Sequence, residues 1–83
     1  MNQEIVFFCY NNEPGFLVAL EPEGMVWDVS KNIELKFIAK NTNSSFKWIV
    51  KHNSDSIQLF PDSEKPYPII EIYKNGILIN TFK

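Results

Sequence analysis

Apolar and polar side chains alternate with a period of two along much of this chain. The clearest case is the segment 33–40, where every second residue is apolar and Glu34 and Lys36 stand between apolar neighbours. Segments 46–51 and 69–82 show related patterns. Because successive side chains of a strand point to opposite faces, this alternation predicts sheets with one buried face. It leaves no helix to carry a phosphate-binding loop or a helical metal motif.

Turn-forming residues divide the chain at short intervals. Clusters of Asn, Pro, Gly and Ser occur at 11–15, 21–24, 41–44, 53–56 and 75–76. Short strands between regularly spaced turns predict an all-β domain over residues 1–83, either an antiparallel β-sandwich or a half-open barrel of about seven strands. The Asn75-Gly76 pair is typical of a two-residue type I′ turn, so the chain is expected to close with a β-hairpin over 69–82.

Three further expectations concern strand positions. The continuously apolar segment 5–10 reads as a central strand buried on both faces. Segments 33–40 and 46–52 are expected to form a hairpin around the loop 41–44, which would place Phe37 opposite Trp48. The proline-rich segment 61–68 is expected to be a loop, because proline cannot donate to a strand ladder.

Composition limits the classes of partner and the compartment. The net charge of −2, with all eight basic residues being Lys, offers no basic surface for nucleic acid. The single cysteine is typical of a reducing compartment rather than of a small secreted domain. The N-terminus has no basic residue before its short apolar run, so we predict a complete cytoplasmic protein with no membrane segment.

Residues able to carry chemistry are few. His52 and Cys9 are the only His and Cys, whereas a structural zinc site commonly needs four such ligands. Glu21 and Glu23 could form an acid–base pair, but acidic residues beside Pro22 in a turn are more often solvated. We therefore predict a protein that is not an enzyme and holds no cofactor or metal.

The remaining functional signal is the set of aromatic and apolar residues that are not needed for the core. Trp48 and Trp27 share faces with apolar neighbours and are expected to be interior. The candidate interaction surface comprises Ile38, Ile49, Tyr67, Tyr73 and Asn80. One hypothesis is a protein–protein interaction role, including a homodimer through a sheet edge or face. The alternative is a small carbohydrate-binding module that uses exposed aromatic rings.

Two resemblances accompany this interpretation. The segment 28–37, DVSKNIELKF, resembles the strand–turn–strand region of cupredoxin-like sandwiches. That likeness implies a sandwich fold without copper, because the two His and one Cys of the copper site are not available here. The turn motifs LEPEG at 20–24, DSI at 55–57 and KNG at 74–76 resemble small uncharacterised bacterial all-β proteins of about this length, which imply no activity.

Overall fold

The computed structural model describes residues 1–62 and 68–82 and shows an all-β chain. It contains eight strands, one more than predicted: β1 (Gln3–Phe8), β2 (Phe16–Leu20), β3 (Met25–Val29), β4 (Glu34–Lys40), β5 (Lys47–His52), β6 (Ser56–Asp62), β7 (Ile69–Lys74) and β8 (Ile77–Phe82). None of the described residues belongs to a helix that is long and apolar enough to cross a membrane.

The strands form two four-stranded sheets. The first sheet has the order β1-β4-β7-β8 and the second has the order β3-β2-β6-β5. This arrangement confirms the sandwich form of the prediction. The expectation that every pair is antiparallel is wrong, because β2 and β6 run parallel, from Leu17 opposite Ser56 to Leu20 opposite Leu59. Three strands separate β2 from β6 in the chain, which is enough for the crossover that a parallel pair needs.

The predicted hairpin between β4 and β5 does not form. β4 lies between β1 and β7 in the first sheet, whereas β5 pairs with β6 in the second. After β4 the chain is held at Thr42, whose backbone N–H and hydroxyl donate to the carbonyl oxygen of Met1 at 2.7 and 2.8 Å. These bonds hold the connection beside the start of β1, and the chain then enters the other sheet.

β1 is an edge strand rather than a central one. It pairs only with β4, and its side chains alternate between half-buried Ile5 and Phe7 and exposed Val6 and Phe8. The uniform apolar sequence concealed this alternation, because both faces of the strand carry apolar residues.

The core lies between the sheets and centres on Phe37. Its ring is fully buried and meets three other rings edge to face, with centroid distances of 6.0 Å to Phe7, 5.5 Å to Trp27 and 6.3 Å to Trp48. The two tryptophans come from β3 and β5, the opposite edges of the second sheet. The buried cluster around them comprises Cys9, Val18, Leu20, Val29, Leu35, Phe37, Leu59, Ile70 and Ile72.

The closing hairpin is confirmed. Asn75 and Gly76 both have positive φ, 51° and 82°, as a type I′ turn requires. Tyr73 opposes Leu78, but a bulge next to this pair places Asn80 rather than Ile79 opposite Ile72.

Proline 61 does not begin a loop. Pro61 and Asp62 continue β6, where they pair with β5. The pairing of β6 with β2 ends at Leu59, so at Pro61 the strand has a partner on only one side. That position is compatible with the missing N–H of proline. Residues 63–67 lie outside the described part of the chain.

Candidate interaction surface

The five residues predicted to form an interaction surface do not form one patch. Ile38 and Tyr73 lie on the outer face of the first sheet, because their neighbours along β4 and β7 point into the core. Ile49 lies on the second sheet, so it is not a neighbour of Ile38. Tyr67 is outside the described residues. Asn80 opposes buried Ile72 and therefore shares its inward face, contrary to the outward face expected for it.

Tyr73 is held in a polar network on the outer face. The ammonium nitrogen of Lys36 lies 5.3 Å from the centre of the Tyr73 ring. The Tyr73 hydroxyl donates to a Glu71 carboxylate oxygen at 3.1 Å. The same carboxylate lies 3.6 Å from the Lys40 ammonium nitrogen. The hydrogen bond to Glu71, with smaller contributions from desolvation and from the negative charge of that residue, raises the pKa of Tyr73. One face of the Tyr73 ring is therefore occupied by Lys36.

The residues considered for chemistry are spread across the fold. Cys9 follows β1 and is buried, with its Sγ 3.5 to 3.6 Å from three backbone carbonyl oxygens. His52 is exposed and is the last residue of β5. Glu21 and Glu23 lie at the β2–β3 turn, with Glu21 half-buried and Glu23 exposed. Within residues 1–62 and 68–82 no three His, Cys, Asp or Glu side chains are grouped so that they could hold a metal ion.

The closing strand β8 is an edge of the first sheet, as the self-association hypothesis requires. Three consecutive apolar residues of this strand are exposed, Ile77 by 68%, Leu78 by 47% and Ile79 by 39%. Leu78 points to the outer face, since it opposes Tyr73. The sequence predicted an outward Asn80, because the bulge that turns this residue inward has no clear signature in the sequence. Leu78 was not among the predicted surface residues, although its pairing with Tyr73 does not depend on the bulge.

The four edge strands of the described sheets differ in charge. β1 contains Glu4, β3 contains Asp28, and β5 contains Lys47 and Lys51. β8 has the sequence ILINTF, with no charged residue and no proline. Charges and prolines on edge strands are the usual protection against pairing with another chain. Among the edge strands that the structure describes, β8 is therefore the one that carries neither a charge nor a proline.

Comparison of the chain with protein-family models, with curated proteins and with solved structures finds no match to any of them.

Proposed function

We propose that this protein is a non-enzymatic interaction protein that associates with a second copy of itself through β8. The observation that carries the proposal is the uncharged, apolar sequence of this one edge strand, in contrast to the charged residues on the other three. The backbone N–H and C=O groups on the open side of an edge strand are a template for a further strand.

The charge pattern favours self-pairing through β8 over self-pairing through another edge strand. When two identical strands pair antiparallel about a two-fold axis, residue i of one copy faces residue j of the other, and a side chain meets its own copy only near the axis. A pairing centred near Glu4 of β1 or Asp28 of β3 would bring two carboxylates together, and one centred between Lys47 and Lys51 of β5 would bring ammonium groups together, which is destabilising. Two copies of β8 meet without such repulsion and remove Ile77, Leu78 and Ile79 from water.

The bulge between β7 and β8 limits the extent of the contact. Bulges increase the local twist of a strand and are one way in which edges are kept from extended pairing. The proposed contact is therefore short, and the dimer is expected to be weak and dependent on protein concentration.

A matched pair of variants tests the proposal. Val6, Lys36, Tyr73 and Leu78 form one row across the outer face of the first sheet, with Val6 and Leu78 at its two ends. Val6 is 46% exposed and Leu78 is 47% exposed, so the same substitution can be made at each edge under similar conditions. In a dimer through β8, Leu78→Glu places one carboxylate from each copy in the interface. Val6→Glu places its carboxylate opposite Lys36, at the edge of the sheet away from β8.

Analytical ultracentrifugation of the wild type over about 10 µM to 1 mM should show a monomer–dimer equilibrium. Leu78→Glu should be monomeric over that range, and Val6→Glu should associate as the wild type does. A wild type that is monomeric at every concentration would contradict the proposal. The same result is expected if β8 pairs with a strand of another protein, so that alternative also counts against self-association. A dimer that survives Leu78→Glu would place the interface elsewhere.

A further inference from the structure

A cavity of about 410 Å³ opens at one end of the second sheet. One wall is the chain that enters β2, and the other is the turn between β5 and β6. Its lining residues are Pro14, Gly15, Phe16, His52, Ser54, Asp55, Ser56 and Ile57. Ligand pockets have volumes of about 300 to 1,000 Å³, so this one is suited to a small molecule.

Backbone contacts hold the two walls together. The N–H of Leu17 donates to the carbonyl oxygen of Asp55 at 3.2 Å, where the parallel pairing of β2 and β6 begins. Within the turn, the N–H of Asn53 donates to the carbonyl oxygen of Ser56 at 2.8 Å. Gly15 passes close to β3, since a Cβ atom at this position would lie 3.0 Å from the carbonyl oxygen of Val29. The cavity is thus defined by the sheet rather than by a free loop.

The side chains divide into an apolar part and a polar part. Phe16 and Ile57 are half-buried and pack against the core, which fixes their positions. His52, Ser54 and Asp55 are exposed to solvent. A cavity with a fixed apolar surface and a few polar groups on the other side is typical of sites that orient a small ligand.

The polar groups limit the charge of that ligand. Asp55 supplies the one carboxylate of the lining, and no side-chain partner of that carboxylate is seen within residues 1–62 and 68–82. An anion in the cavity would be repelled by this carboxylate. The serine hydroxyls both donate and accept hydrogen bonds, and the imidazole of His52 offers at least one donor. This mixture matches a ligand that carries several hydroxyl groups better than a simple cation, which needs acceptors only.

From these features we infer that the cavity binds a neutral sugar of monosaccharide size. One face of such a ring presents C–H groups that pack on the Phe16 ring, and its hydroxyls hydrogen-bond to the Asp55 carboxylate and the adjacent polar groups. This site is on the second sheet and does not depend on the proposed self-association through β8.

Nuclear magnetic resonance titrations with D-glucose, D-galactose and D-mannose test the inference. At least one sugar, added up to about 100 mM, should shift the backbone amide signals of residues 15–17 and 52–57, with a dissociation constant near the millimolar range. The Leu78→Glu variant should give the same shifts, which separates this site from the β8 contact. Choline, a small organic cation, serves as the competing class of ligand.

Two variants locate the site. Asp55→Asn keeps the shape of the side chain and the backbone carbonyl but removes the charge, so the affinity should fall about tenfold. Glu4→Gln removes a carboxylate from the other sheet and should leave the affinity unchanged. The inference would be overturned by the absence of shifts with all three sugars, by shifts with choline alone, or by equal affinities of the Asp55→Asn variant and the wild type.

Discussion

The rings of Phe37 and Trp48 lie 6.3 Å apart and are inclined by 63°, although their strands belong to opposite sheets. Trp48 also donates its indole N–H to the carbonyl oxygen of Gln3 in β1 at 3.3 Å. A single side chain of β5 thus contacts the centre of the core and binds the edge of the facing sheet.

The first prediction concerns these two rings. Phe37→Ala should lower the free energy of unfolding by about 3–5 kcal/mol, because the ring is fully buried and its three aromatic neighbours cannot all close the space. Trp48→Ala should cost less, since part of the indole is exposed. Trp48→Phe keeps an aromatic ring but leaves the Gln3 carbonyl without this donor, and should cost about 1 kcal/mol.

Urea denaturation measures all three free energies. Val6→Ala, at an exposed position of β1, is the control and should change stability by about 0.5 kcal/mol or less. A larger loss for Trp48→Ala than for Phe37→Ala would show that the centre of the core has been misplaced.

The second prediction concerns the hairpin turn. Asn75 has a positive φ, and its side-chain oxygen accepts from the backbone N–H of Glu34 at 2.8 Å. Asn75→Ala should destabilise the protein by about 2 kcal/mol, because alanine tolerates this backbone conformation poorly and cannot accept the bond. Asn75→Gly removes the hydrogen bond, but glycine adopts the positive φ readily. This variant should therefore cost about 1 kcal/mol.

Asn75→Asp keeps a side-chain acceptor and should be the mildest of these substitutions. Thermal unfolding of the three variants gives their order. If Asn75→Gly were as stable as the wild type, the link between the turn and Glu34 would contribute nothing to stability.

The third prediction concerns alkaline pH. The pKa of Tyr73 is raised above the ordinary tyrosine value of about 10, so the folded chain holds the phenolic proton more tightly than the unfolded chain does. The resulting stabilisation is complete below the unfolded pKa and is lost as the pH rises through the folded pKa. Tyr73→Phe should therefore be less sensitive to alkaline unfolding than the wild type.

Ultraviolet absorbance follows the ionisation of the three tyrosines directly. The wild type should show a late transition from Tyr73, which Tyr73→Phe removes and the control Tyr10→Phe retains. A late transition that persists in Tyr73→Phe would assign the raised pKa to a different residue.

Side-chain alternation was enough to predict which residues of β4 are buried. Leu35, Phe37 and Ala39 point inward as expected, because neighbouring side chains on a strand must lie on opposite faces. The Asn75-Gly76 turn was equally predictable, since few residue pairs accept two successive positive φ angles. These properties depend on residues that are close together in the chain.

Strand partners, the exposed β8 edge and the cavity depend on contacts between distant residues. The pattern of β4 is equally suited to β5 as a neighbour, and the bonds from Thr42 to Met1, forty-one positions apart, accompany a different pairing. The bulge in β8 exchanges the faces of the residues that follow it, which turns Asn80 inward. The cavity exists because β2 pairs with β6 in parallel and brings residues 14–16 beside 52–57. Alternation specifies which face of a strand is apolar, but pairing and register follow from the packing of the whole sandwich.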